Sequence, residues 1–262
     1  MKPKPKHLGP EYASAFQDKS LVEVYHLRPP YSPEVFDFLV SLIPGKPRAV
    51  LDAGCGTGNI ARPLAPLVDR IDAVDCSERM IERGKRLPGG DRFNLRWLRG
   101  YVEDAPVNPP YALVTAGESL HWMDWEQALP RFHDVLTPKG YLSMIFHDPE
   151  SPPWDKDLKK IIPRFSTNPD YQPVNLVEDL ETRGLFQKHG EKKASPMGYR
   201  QALEHYVESF HSMSSLSRDR MGKGKAATFD REVRKLVQRY CLEEVFEMQF
   251  VCKIIWGKPL RP

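Results

Sequence analysis

Three glycines at alternate positions, Gly54, Gly56 and Gly58, stand between two carboxylates, Asp52 and Asp75. Without a Cβ, glycine takes positive φ readily and lets a ligand approach the backbone. The apolar run Ala49–Leu51 ahead of the turn reads as a buried strand. Behind the turn, Ile60, Leu64, Leu67 and Val68 share one face of a helix predicted over 60–68. A helix start there would offer unpaired N–H groups and partial positive charge to an anionic or polar ligand end. The spacing is not the dinucleotide fingerprint G-x-G-x-x-G, because position 59 is Asn.

The pattern D-x-G-x-G-x-G, closed by an acid at the end of the next predicted strand, Ile71–Asp75, resembles class I S-adenosylmethionine (SAM) methyltransferases. That resemblance implies an α/β, Rossmann-like, doubly wound seven-stranded sheet with an antiparallel last strand. It also implies SAM as cofactor and S-adenosylhomocysteine as product. Asp52, Gly54, Cys55, Gly56, Thr57 and Gly58 would form the cofactor turn. Asp75, with Cys76 beside it, would meet the ribose, whose two hydroxyls can donate to one carboxylate.

Further segments carry the same resemblance. Tyr25-His26-Leu27-Arg28-Pro29-Pro30-Tyr31 is similar to the Y-x-x-x-R-P-x-Y-P opening of many small-molecule members, with Ser32 in place of the last proline. It implies a segment folded over the cofactor, with Tyr25 or Arg28 at the methionine carboxylate. Asp75–Ile81 resembles D-x-S-x-x-M-l, which puts Met80 near adenine. Gly100–Pro106 resembles G-x-A-E-x-L-P, with Val102 and Ala105 departing from it, and implies Val102 and Glu103 beside the adenine ring. Gly117–Asp124 looks like the A-x-H-W-x-D stretch of the trans-aconitate-type and UbiE-like methyltransferases. Gly117 joins the cofactor set, and His121 is the candidate catalytic base. A carboxylate acceptor needs no base, whereas a phenol or alcohol gains from one.

Several elements must position these residues. Ser32-Pro33-Glu34 is a helix start, and Pro44-Gly45 ends that helix. Ser77 is an N-cap candidate. Strands are expected at Phe93–Arg99, Tyr111–Ala116 and Tyr141–Phe146, and a helix carrying Trp125, Leu129, Phe132 and Leu136. Leu136–Gly140 resembles the family's L-k-P-G-G turn. Asn108-Pro109-Pro110-Tyr111 spells the N-P-P-Y of amino methyltransferases. It precedes its strand, at the wrong end of a parallel sheet for a ligand, and so reads as a proline loop.

The expected organisation has four parts: a flexible tail over 1–15, a SAM-binding core with an N-terminal helical segment over 16–146, a substrate lid over 147–230, and a helix and last strand over 231–262 that complete the core. Within the lid, Phe186–Lys192 reads as a sixth strand and Tyr199–His211 as a helix. Arg218–Lys225 reads either as a solvated loop or as a clamp on an anionic substrate group. The last strand is apolar at period two from Phe246 to Trp256.

Composition narrows the function classes. A chain of 262 residues suits one α/β domain with an insertion. The net charge of +3 is too mild to imply a polyanion partner, so nucleic acid is not expected. No apolar run reads as a membrane span or a signal peptide. Cys55, Cys76, Cys241 and Cys252 have no metal-ligand spacing and read as reduced thiols of a cytoplasmic protein. No metal is expected, and nothing in the sequence fixes an oligomeric state. The leading expectation is O-methylation of a small molecule, at a carboxylate or hydroxyl. Methylation of RNA or protein, and SAM binding without catalysis, are the competing readings.

Overall fold

In the computed structural model, which describes residues 3–241 and 243–261, strand β1 (Ala49–Ala53) is buried along its whole length. Val50 packs on one side of the sheet, and Ala49, Leu51 and Ala53 on the other. Burial on both faces is what a central parallel strand requires. Its neighbours are β2 (Arg70–Asp75) and β4 (Tyr111–Gly117), with Val50 level with Ile71 and Leu113. Beyond them lie β3 (Leu95–Arg99) and β5 (Leu136–Pro149). These five strands are parallel. β6 (Phe186–Lys193), β7 (Met197–Ala202) and β8 (Val245–Pro259) follow, and β8 runs antiparallel to all three of its neighbours.

The order β3-β2-β1-β4-β5-β8-β6, with β7 also on β8, is that of a Rossmann-like doubly wound sheet. The order reverses between β1 and β4, so the ligand crevice lies at their carboxyl ends. Among the described residues eight strands are present where seven were expected. The extra one, β7, occupies 197–202, where the helix over 199–211 was to begin. Gly198, Tyr199 and Gln201 pair with the first half of β8, and the helix is confined to Leu203–Ser209. β8 is 15 residues long, so β6 and β7 follow one another along one of its edges.

The helices in chain order are α1 (Pro10–Ala13), α2 (Lys19–Val24), α3 (Pro33–Ser41), α4 (Ala61–Leu64), α5 (Glu78–Lys85), α6 (Trp125–Val135), α7 (Asp155–Phe165), α8 (Leu176–Thr182), α9 (Leu203–Ser209), α10 (Arg218–Met221) and α11 (Lys223–Gln238). α3 and α4 cover one sheet face, and α6 and α8 the other. The helix predicted over 60–68 is only the four-residue α4 and a short 3-10 turn. Pro66 lacks the N–H that would bond back to the Arg62 carbonyl, so the α ladder does not extend past it. α7, α9, α10 and α11 form a further layer around Trp154, Tyr206 and Phe229. The 147–230 stretch therefore divides, since β6, β7 and the end of β5 belong to the sheet and the helices stand beside it.

The first residues do not behave as a tail. Leu8 joins the main core and His7 is buried. Lys4 Nζ donates to the Met123 carbonyl at 2.8 Å, and Asn168 Nδ2 to the His7 carbonyl at 3.0 Å. Met1 and Lys2 lie outside the described residues. The basic stretch 218–225 is α10 and the start of α11, broken at Gly222, and its arginines are paired: Arg218 with Glu208 and Asp230, and Arg220 with Asp18. No helix among the described residues is long and apolar enough to cross a membrane.

Candidate cofactor and acceptor site

The carboxyl end of β2 delivers Asp75 to the glycine turn. Its Oδ2 accepts the Gly56 N–H at 2.8 Å and its Oδ1 the Ser77 N–H at 2.7 Å. Ser77 caps α5 by accepting the Met80 N–H, and its hydroxyl donates to the Phe16 carbonyl at 2.8 Å. One carboxylate thus joins the turn, the start of α5 and, through Ser77, the N-terminal segment. Burial raises the Asp75 pKa above the usual carboxylate range, against the pull of the two N–H donors.

Two glycines of the turn face different neighbours. Gly56, at φ +55, has the Tyr25 hydroxyl as the nearest atom a Cβ would meet, at 3.6 Å, so that side is open to the cavity. Gly58, at φ +77, would drive a Cβ to 2.5 Å from the Trp97 ring, so it serves packing on that side chain.

A cavity of about 890 Å³ runs along the crevice. Its wall includes Asp75, Cys76, Met80, Val102 and Glu103, together with Gly54, Gly56 and Tyr25. Gly117, Glu118, Ser119, Trp122 and Met123 also line it, as do residues 3–6 and 8–11 and Phe16. A smaller void of about 20 Å³ lies behind the turn, against Tyr31, Asp52, Cys55 and Ile60.

Tyr25, Gly54, Gly56, Asp75, Cys76, Met80, Val102, Glu103 and Gly117 are together in the main wall. Asp52 and Cys55 are not; they border the smaller void. The Asp52 carboxylate accepts the Ala61 N–H at 3.1 Å and the Thr115 hydroxyl at 2.8 Å, so it ties α4 to β4. Burial raises its pKa to about 7. Because Asp52 takes the first free N–H of α4, that helix start is not open to a ligand in the way the sequence suggested. Thr57 and Gly58 line neither space. Arg28 also lines neither, because its Nε donates to Ser212 Oγ at 3.0 Å and its guanidinium lies over the Tyr25 ring at 4.5 Å.

His121 is absent from both walls. Its ring lies 4.8 Å from that of Trp122, and it makes no hydrogen bond among the described residues. Burial, helped by the charges of Lys4 and Arg28, lowers its pKa to about 3. It is neutral at physiological pH and a weak base. The cavity presents a different titratable group at this loop, Glu118, which immediately follows Gly117.

Glu118 and Tyr31 carry features the motifs did not point to. Glu118 is the non-glycine residue with positive φ, at 51°, among the described residues. Its Oε1 accepts the His147 N–H at 2.8 Å. Tyr31 stacks on the His147 ring at 4.4 Å. The available signal was position: Glu118 ends β4 at the switch point, and Tyr31 closes the Arg-Pro-Pro-Tyr segment.

The residues present fit an adenosyl group. Each Asp75 oxygen accepts one N–H and keeps capacity for a hydroxyl donor. Glu103 Oε1 accepts the Asp124 N–H at 2.9 Å, which leaves Oε2 for an amine. Met80 and Val102 supply the apolar contact for a ring.

Part of the chain is similar to known proteins. Residues 50–140 match the model of a family described as a methyltransferase domain. An uncharacterized methyltransferase of Mycobacterium tuberculosis is 31% identical over 165 residues, which are 62% of this chain and 63% of that protein. One from Schizosaccharomyces pombe is 26% identical over 73% of this chain and 75% of its own length. The malonyl-[acyl-carrier protein] O-methyltransferase of Halalkalibacterium halodurans is 28% identical over 40% of this chain and 41% of its own. The chain thus spans just under two thirds of the mycobacterial relative. Among solved structures, a protein of Anaeromyxobacter dehalogenans assigned as a type II methyltransferase superposes with a TM-score of 0.63 at 20% identity, covering 88% of this chain and 97% of its own.

Proposed function

We propose that the protein, whose residues 50–140 match the model of a methyltransferase domain, transfers the methyl group of SAM to an oxygen of a small molecule held in the same cavity. The observation that carries this reading is the single cavity of about 890 Å³ whose wall holds both the Asp75 and Glu103 carboxylates and the Gly117–Met123 loop. Small-ligand pockets run to roughly 300–1,000 Å³. A space near the top of that range suits a nucleoside cofactor with a small acceptor beside it.

SAM, when bound, supplies a methyl group on a cationic sulfur, already a good leaving group. The protein's work is alignment and exclusion of water. Asp75 and Glu103 would hold the ribose hydroxyls and the adenine amine, and Met80 and Val102 the faces of the base. Tyr25, over Gly56, would border the methionine portion. Arg28, held by Ser212, would steady Tyr25 from behind. The N-terminal segment, tied by Lys4 to the Met123 carbonyl, would help to shield the reacting groups from water. The O-methyltransferase among the relatives lends support to oxygen as the target.

Methylation of nucleic acid has less support, because Arg218 and Arg220 are spent on internal carboxylates and are not free to form a basic face. The unpaired cysteines 55, 76, 241 and 252 support a reducing compartment, the cytoplasm. Calorimetric titration of SAM and S-adenosylhomocysteine into the protein tests the reading. Saturable binding of both is expected, with transfer of radiolabelled methyl from SAM into the small-molecule fraction of a cell extract. Absence of binding would overturn it; binding without transfer would favour a non-catalytic SAM-binding protein.

A further inference from the structure

We infer that Glu118 faces the transferable methyl group and takes the proton from a hydroxyl acceptor, so that the substrate is an alcohol or phenol and not a carboxylate. This rests on the methyl-transfer reading above and adds the base and the acceptor class to it.

Three independent observations converge on Glu118. The first is its backbone. At φ 51° it occupies the left-handed region that side-chain-bearing residues rarely adopt, at the end of the strand that borders the crevice. Strain of that kind persists where the surroundings hold it, and it clusters at sites of function. Here they do so on both sides. The Glu118 N–H donates to the Ile145 carbonyl at 3.0 Å, and the next residue, Ser119, donates to the Ala53 carbonyl at 2.6 Å.

The second observation is the side chain. Oε1 is fixed by the His147 N–H at 2.8 Å. Oε2 has no hydrogen-bond partner among the described residues, and Glu118 forms part of the cavity wall. One oxygen is therefore anchored and the other is available. Burial raises the carboxyl pKa, while the His147 N–H and the Arg28 charge pull it back. Such an environment makes a carboxylate a better base than it is in water.

The third is the charge of the wall. Carboxylates outnumber cations there, with Glu11, Asp75, Glu103 and Glu118 against Lys4 and Lys6 among them. A cationic sulfonium is favoured in such a field, and an anionic acceptor is not. Arg218 and Arg220, which read in sequence as a possible clamp on an anion, are paired elsewhere.

The step balances without any further reactant. The hydroxyl oxygen forms the new bond to the methyl carbon as its proton passes to Glu118 Oε2. The carbon–sulfur bond breaks, and its electron pair stays on sulfur, which becomes a neutral thioether. Glu118 then releases the proton to solvent.

The test needs no known acceptor. SAM carries positive charge at sulfur and S-adenosylhomocysteine does not, so a carboxylate facing the methyl group favours SAM selectively. Calorimetry of both on wild type and Glu118→Gln should show the Kd ratio of SAM to S-adenosylhomocysteine rising about tenfold in the variant, the size of one unit of differential charge interaction. Glu118→Gly, which relieves the backbone strain, should show the same shift and guards against a folding defect in the first variant. Equal weakening of both ligands would place Glu118 at the amino-acid end and overturn the inference, as would an unchanged ratio. For the acceptor class, label carried from radiolabelled SAM into extract small molecules should be stable to mild base, as ethers are. Base-labile, volatile label would identify methyl esters and overturn the hydroxyl assignment. If neither SAM nor S-adenosylhomocysteine binds wild type, the methyl-transfer reading itself falls.

Discussion

Asp75→Asn is a perturbation whose cost can be worked from the geometry. The wild-type carboxylate accepts from Gly56 N–H at 2.8 Å and from Ser77 N–H at 2.7 Å. An amide of the same shape has one acceptor oxygen, so its NH₂ must face the other N–H. A buried donor left without a partner costs about 1–3 kcal/mol. Burial of the charge gives some of this back, since the wild-type pKa is raised by desolvation. The variant should be about 1–2 kcal/mol less stable without ligand. Binding should suffer more, because a charged acceptor for ribose hydroxyls is lost. At about 1.5–3 kcal/mol, that is roughly a 10–100-fold weaker Kd for S-adenosylhomocysteine.

Urea unfolding with and without the ligand reads both effects. At 100 times its Kd, S-adenosylhomocysteine should stabilise wild type by about 2.7 kcal/mol. If Kd rises about thirtyfold, the same concentration stabilises the variant by only about 0.9 kcal/mol. Equal ligand-induced stabilisation in the two proteins would refute the assignment of Asp75 to the cofactor. A variant that is destabilised but keeps the full ligand gain would reduce Asp75 to a residue that shapes the turn.

Other outcomes follow from the same contacts. Gly58→Ala should cost about 2–4 kcal/mol, from positive φ and the clash with Trp97, yet leave the affinity of the folded protein for S-adenosylhomocysteine within about threefold. Gly56→Ala should cost about 1–2 kcal/mol and weaken that affinity more than about tenfold, since its Cβ enters the cavity; similar affinities for the two variants, measured by calorimetry, would contradict the different roles given to these glycines. Asp52 ionises at about 7 in the fold against 3.8 as a free side chain, so the unfolded chain loses its proton first. Its contribution is present at about pH 4 and is lost as pH rises through 7. Asp52→Asn should flatten that fall in a series of melting temperatures, because an amide can accept from Ala61 N–H and donate to the Thr115 hydroxyl. An unchanged pH profile would show that Asp52 is not the group responsible.

The parts legible in advance are those whose information is local. Alternating glycines announce a turn because only φ and the missing Cβ are at issue there. Ser77 three residues before Met80 announces a cap, and the period-two run from Phe246 to Trp256 announces a strand. Asp75, Met80 and Glu103 follow in register from such elements, and all three line the cavity. Where the local signal was ambiguous, pairing decided it. Residues 197–202 have strand character that matters only because β8 is long enough to offer them an edge.

Sequence alone determined that this chain forms a glycine-turn α/β sheet with an acid at the end of its second strand, since spacing and periodicity encode those features within a few residues. Tertiary structure decided which polar groups are free to act. Arg28 is taken by Ser212, 184 residues away, and the backbone carbonyl of Met123 by Lys4, 119 residues away. Asp52 is taken by Thr115, and Glu118 keeps one oxygen open because His147 claims only the other. A side chain's chemistry depends on its partners, its burial and the charges around it, and those are set by segments that meet only when the chain is folded.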